Sequence, residues 1–127
     1  MTLLAKRQER SIVPRMYYIT TAIDYTNGPP HIGHAYEKVL ADVLARWHRM
    51  KGEEVYFLTG VDQHGQKVQQ TAEKLGITPQ EHVNNITEQF LALWNRLGIS
   101  NDGWASTTDP RHKACVQKIL TDLKDKG

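Results

Sequence analysis

Between Tyr17 and Thr59 the hydrophobic period of this chain changes twice, and that change restricts the fold more than any other feature. Tyr17-Tyr18-Ile19-Thr20-Thr21-Ala22-Ile23 is aromatic and β-branched and reads as a buried strand. Asp24 to Pro30, with Asn-Gly and Pro-Pro, is a rigid loop. After His31, a set comprising Ile32, Tyr36, Val39, Leu40, Val43, Leu44, Trp47 and Met50 recurs at helical spacing and implies an amphipathic helix ending near Gly52. Glu54-Val55-Tyr56-Phe57-Leu58-Thr59 returns to strand character. Two strands joined through so long a helix must lie parallel, and the right-handed crossover rule fixes the side that the helix covers.

Beyond Gly60 the pattern is helical. Gln66 to Leu75 is one helix stopped by Gly76. Thr78-Pro79-Gln80-Glu81 is a capping box with proline at the first helical position. The helix it opens carries Val83, Ile86, Phe90, Trp94 and Leu97 on one stripe and stops at Gly98. A mixed loop follows through Trp104, and Asp109-Pro110 starts a last helix expected to turn Cys115, Ile119 and Leu123 inward. Two parallel strands make an incomplete sheet, since an isolated parallel pair is rarely stable. The chain closes on Lys-Asp-Lys-Gly directly after a helix, where another strand is expected. The expectation is an α/β fold that is the first half of a larger domain, or one that a second chain completes.

At 127 residues there is one domain's worth of chain, long enough to bury a core. A net charge of +2 makes no compositional case for strong nucleic-acid binding. The single cysteine, Cys115, excludes an internal disulfide framework and, alone, a cysteine-based zinc site. No apolar run approaches a membrane span, so the reducing cytoplasm is the default compartment. Residues 1–15 carry Lys6, Arg7, Arg10 and Arg15 against one acid, Glu9. They read as a disordered basic tail before a domain spanning 16–127, with Met16 as an alternative start, rather than as a transit peptide.

The chemistry concentrates where the first strand hands over to its helix, in Asp24-Tyr-Thr-Asn-Gly-Pro-Pro-His-Ile-Gly-His34. A helix N-terminus presents unpaired N–H groups and the positive end of its dipole, which favour a phosphate. His31 and His34 are three apart, so one turn brings both rings to one face. Gly33 between them lets a flat ring lie against the backbone. This arrangement suits a nucleoside triphosphate. The second loop, Gly60-Val61-Asp62-Gln63-His64-Gly65, leaves the neighbouring strand at the same carboxyl edge, where open α/β sheets bind ligands. Asp62 repels phosphate, and would instead hold an ammonium, a ribose hydroxyl or a magnesium ion. His64 is either a third polar contact or a solvent-exposed loop histidine. A zinc site is the weaker reading of the histidines, because only Asp62 and His64 lie near enough in sequence to complete it.

The stretch from Thr20 through Asn27-Gly-Pro-Pro-His-Ile-Gly-His-Ala-Tyr36 resembles the signature region of methionyl-tRNA synthetases, class I aminoacyl-tRNA ligases. Phe57-Leu-Thr-Gly-Val-Asp-Gln-His-Gly-Gln-Lys67 is similar to that family's second block, and the similarity runs from about Met16 to the C-terminus. Cysteinyl enzymes are similar around His-Ile-Gly-His but carry a zinc-ligand cysteine upstream that this chain lacks. The resemblance implies the first half of a Rossmann-like nucleotide-binding fold and a two-step ligation. Methionine would be activated with ATP to methionyl-adenylate and transferred to tRNA(Met). His31 and His34 would stabilise charge on the phosphates, Gly33 would let adenine stack, and Asn27 would sit in the phosphate loop. Ile23 and Tyr25 would line the methionine pocket, Asp62 would pair with its ammonium, and Mg2+ would accompany ATP. No zinc site is expected within the chain. Gln63 departs from the glutamate of many relatives, and the family's second signature, Lys-Met-Ser-Lys-Ser, does not occur here. The chain is therefore expected to hold about half an active site, to aminoacylate little alone, and to expose apolar surface. The alternatives are a small nucleotidyltransferase sharing His-x-Gly-His and a non-catalytic binding module that docks on tRNA or a synthetase.

Overall fold

A computed structural model describes residues 16–127; the basic tail expected over residues 1–15 lies outside them. In chain order the elements are β1 (Tyr17–Tyr25), α1 (Ile32–Met50), β2 (Val55–Asp62), α2 (Gln66–Leu75), α3 (Pro79–Leu97), β3 (Gly103–Ser106) and α4 (Pro110–Lys126). The strands form one parallel sheet in the order β1-β2-β3. Helices α2 and α3 stop at Gly76 and Gly98 in the left-handed conformation, as their positions imply.

The third strand corrects the expected loop through Trp104. Gly103-Trp-Ala-Ser is too short to show a period, and pairing alone makes it a strand, with Leu58 to Val61 opposite Gly103 to Ser106. Asp102 guides it into place: its N–H donates to the Phe57 carbonyl, and its carboxylate accepts from the Phe57 N–H, each at 2.8 Å. Gly60 leaves room for the new strand, since a Cβ there would lie 2.0 Å from the Ala105 carbonyl oxygen.

Alternation along β2 puts Phe57 and Val61 on one face, and α1 and α3 share it. Phe57 packs with Ala41 and Ala45 of α1, while Val61 packs with Ile86, Phe90 and Trp94 of α3. Ile99 joins both clusters. Strand β1 is an edge strand rather than the buried strand expected from its composition, and only Asp24 in it is fully buried. On the face away from α1 and α3, the exposed Tyr18 and Tyr56 stack on each other.

Helix α1 also departs from its hydrophobic pattern. Its apolar stripe, from Ile32 to Met50, stays 40–84% exposed, and the buried residues are Lys38, Ala41, Asp42 and Ala45. Small alanines let the helix approach the sheet closely. The two buried charges are tolerated because each is paired. Asp42 accepts from the Ser100 N–H at 2.7 Å, the Ser100 hydroxyl at 2.5 Å and Arg46 Nε at 2.6 Å. Helix α4 forms where expected but buries nothing, so Cys115, Ile119 and Leu123 are exposed rather than inward. Both apolar faces remain largely exposed.

Candidate active site

His31 is the N-cap of α1, with extended backbone at φ −133° and ψ 176°. Its Nδ1 accepts the Gly33 N–H at 3.1 Å, and the His31 N–H donates to His34 Nδ1 at 3.1 Å. This is a capping box built from two histidines, satisfying donors that a helix start otherwise leaves unpaired. The rings stack with centroids 3.8 Å apart, as their spacing implies. The ring lying against Gly33 is that of His31, because a Cβ on Gly33 would come within 3.0 Å of it. Since both Nδ1 atoms accept, each neutral imidazole carries its proton on Nε2, which leaves two N–H donors for a ligand. Burial holds the His34 imidazole below the usual histidine range, against the pull of the Asp24 charge. His34 also meets the edge of Phe90 at 5.0 Å, so the site is seated on the core.

Beneath this turn lies an ionic cluster. Lys38 Nζ, fully buried, donates to Asp24 Oδ1 at 2.9 Å, Glu37 Oε2 at 2.9 Å and the Ala22 carbonyl at 3.0 Å. Burial pushes the Asp24 carboxyl above the ordinary carboxylate range, and Lys38 opposes that rise without cancelling it.

Asp62 ends β2 directly opposite Tyr25, the end of β1. Thr26, wholly buried, ties the two strand ends together by donating its N–H at 2.9 Å and its hydroxyl at 3.0 Å to the Asp62 carbonyl. The Asp62 carboxylate accepts from the His64 N–H at 3.3 Å and the Thr107 hydroxyl at 3.4 Å. His64 is exposed, with its Nε2 3.1 Å from the Thr107 carbonyl. Gly65, at φ +131°, passes under Tyr25, and a Cβ there would lie 2.3 Å from the phenol oxygen.

Gln63, noted in the sequence only as a departure from glutamate, is buried and fully engaged. Its Oε1 accepts from the Ser106 and Thr108 hydroxyls, its Nε2 donates to Thr87 at 3.0 Å, and its N–H donates to Thr107 at 2.8 Å. Thr87 commits its own proton to the Val83 carbonyl, so it can only accept from Gln63, which an amide satisfies.

The histidines therefore come together, and Tyr25 and Asp62 come together, at the same carboxyl edge of the sheet. Ile23 is exposed opposite Gly60, and Asn27 is exposed in the turn between β1 and α1. Two surface hollows lie beside these residues rather than among them. One of about 310 Å3 is lined by Trp104, Ser106 and Arg111, and one of about 200 Å3 by His64, Lys113 and Val116. Glu37, Lys38 and Thr107 lie outside the motifs, and Thr26 lies within one without a role of its own; only their contacts reveal what they do.

The model of the family described as tRNA synthetases class I (M) matches residues 17–127. The chain belongs to this family. Methionine–tRNA ligases of Streptomyces coelicolor and Deinococcus radiodurans are each 50% identical to it over 114 residues, or 89% of this chain. Those residues make up 21% and 17% of the two relatives, so the chain spans about a fifth of their length. A solved Mycobacterium tuberculosis methionyl-tRNA synthetase in complex with methionyl-adenylate superposes with a TM-score of 0.75 at 42% identity, covering 77% of this chain and 19% of that one. The three parallel strands and their helices are thus part of a class I synthetase nucleotide-binding fold. No helix among the described residues is long and apolar enough to cross a membrane.

Proposed function

We propose that this chain is the N-terminal part of a methionine–tRNA ligase catalytic domain, acting in the cytoplasm and contributing the histidine turn to ATP and Asp62 to methionine. One observation carries the reading. His31 and His34 are stacked at a helix N-terminus with both Nδ1 atoms occupied by backbone N–H groups, so that only Nε2–H remains to meet a phosphate. In the reaction, a methionine carboxylate oxygen bonds to the α-phosphorus of ATP and the bond to pyrophosphate breaks, giving methionyl-adenylate. A terminal ribose hydroxyl of tRNA(Met) then takes the methionyl group and releases AMP. The two Nε2–H donors and the helix dipole stabilise negative charge that builds on the phosphate oxygens in the first step, without a proton being transferred. Gly33 and Asn27 line the nucleotide side, and Ile23, Tyr25 and Asp62 the methionine side. Asp62 attracts the α-ammonium and repels phosphate, which keeps the two substrates in register.

Among the described residues no cluster of three His, Cys, Asp or Glu side chains could hold a metal. Magnesium, where it takes part, would arrive on the nucleotide phosphates. Calorimetric titration of the chain with ATP and with methionine tests the proposal. His34→Ala should weaken ATP about tenfold or more, and Asp62→Asn should weaken methionine while sparing ATP. ATP binding unaffected by His34→Ala would refute it.

A further inference from the structure

We propose that Glu37 and Lys38 clamp a bulge in β1 and so decide that Ile23 and Tyr25, rather than Asp24, face the same side of the sheet as Asp62. The proposal deepens the methionine-side reading and rests on it for its functional consequence.

The register of the sheet reveals the bulge. Thr20 pairs with Leu58 but Ile23 pairs with Gly60, so β1 spends one more residue than β2 over this interval. An extra residue disrupts the ladder and reverses the alternation of side chains beyond it. Before the bulge Ile19 packs toward α1 with Phe57; after it, Asp24 is the residue opposite Val61 on that face. Ile23 and Tyr25 therefore take the opposite face, which Asp62 shares through its pairing with Tyr25.

A bulge residue needs new partners for its backbone. Ala22 finds them on α1: its N–H donates to Glu37 Oε1 at 2.9 Å, and its carbonyl accepts from Lys38 Nζ at 3.0 Å. The Thr21 hydroxyl also reaches that carbonyl at 2.9 Å. Lys38 spends its remaining donors on Asp24 and Glu37, so the residue turned inward by the bulge meets a cation on arrival. The second Asp24 oxygen is buried without a partner, which leaves Lys38 as the only hydrogen-bond donor to this carboxylate among the described residues. Glu37 and Lys38 follow His34 by three and four residues, one turn along the same helix face. The nucleotide-side helix and the methionine-side strand are thus fastened together at one point. Lys38 is a positioning residue, since it is wholly buried and acts through Ala22, Asp24 and Glu37.

The test combines amide hydrogen exchange at Ala22, read by NMR, with methionine and ATP titrations of the whole chain. Lys38→Met and Glu37→Leu should speed Ala22 exchange about tenfold and weaken methionine by a similar factor, with ATP affinity moving far less. Glu37→Gln, whose oxygen still accepts from Ala22, should restore protection. Val83→Ala, a core truncation in α3, should lower stability without reproducing the Ala22 effect. Because Lys38→Met strands Asp24, the double variant Asp24→Leu/Lys38→Met removes both charges and carries the test should the single variant not fold. Unchanged Ala22 exchange in the clamp variants, or the same loss in Val83→Ala, overturns the proposal. If the unaltered chain binds no methionine, the functional reading fails, and the exchange data still decide the clamp.

Discussion

Replacing Phe90 with alanine tests whether the histidine turn is held up by the core or only rests on it. Phe90 is fully buried, meets the His34 ring edge-on at 5.0 Å and lies 5.7 Å from the ring of Trp94. A buried phenylalanine removes roughly 150–250 Å2 from water, which at about 25 cal/mol per Å2 is worth some 4–6 kcal/mol. Alanine retains part of this and leaves a cavity, so the expected loss is about 4 kcal/mol. Small domains are stable by only about 5–15 kcal/mol, so the variant should sit near its limit. Phe90→Leu keeps most of the area but not the aromatic edge on His34, and should cost about 1–1.5 kcal/mol. Urea unfolding followed by tryptophan fluorescence, to which buried Trp94 contributes beside Trp47 and Trp104, measures both, with the urea dependence unchanged. NMR titration of His34 gives a second readout. Burial is the main cause of its lowered pKa, so opening the space beside it should raise the value toward the ordinary histidine range. A Phe90→Ala cost below about 1 kcal/mol, or a His34 titration that does not move, would refute the reasoning.

His31→Ala removes an N-cap acceptor and should cost about 1 kcal/mol, whereas His31→Asn should recover the stability without recovering ATP affinity, as thermal melts beside calorimetry would show. Burial pushes the Asp42 carboxyl up, but the Ser100 hydroxyl, Arg46 and the Ser100 N–H outweigh it and hold the group below the ordinary range. A depressed native pKa gives stability that is complete above the unfolded value of about 4 and lost as pH falls through the folded one. Asp42→Asn should therefore be less stable near neutrality and flatter with acid, checked by urea midpoints at several pH values. Gly60→Ala would place a methyl 2.0 Å from the Ala105 carbonyl oxygen, and should cost at least about 2 kcal/mol. The loss should appear as faster amide exchange confined to β3 and its partners; uniform protection would contradict the close strand approach.

Much of this protein was legible in its residue order because the signals were local. The strand–helix–strand alternation, the proline start of α3, the glycine stops and the approach of His31 to His34 each depend on neighbours within a turn. The placing of Asp62 at the same carboxyl edge as the histidine helix followed from parallel topology. Its membership of β2 and its pairing with Tyr25 did not, because the strands run on past their apolar runs. Long-range contacts decided the rest. Strand β3 exists because Leu58 to Val61 offer it a ladder, which four residues cannot announce by themselves. The apolar stripe of α1 reads as a core face, yet the sheet takes the opposite side, where two alanines permit close approach and two charges find partners. The bulge in β1 left no mark in the pattern either, although it turns Asp24 inward and Ile23 outward. Periodicity reports which residues prefer to leave water. Which surface receives them, and which polar groups can be buried with them, depends on partners distant in sequence.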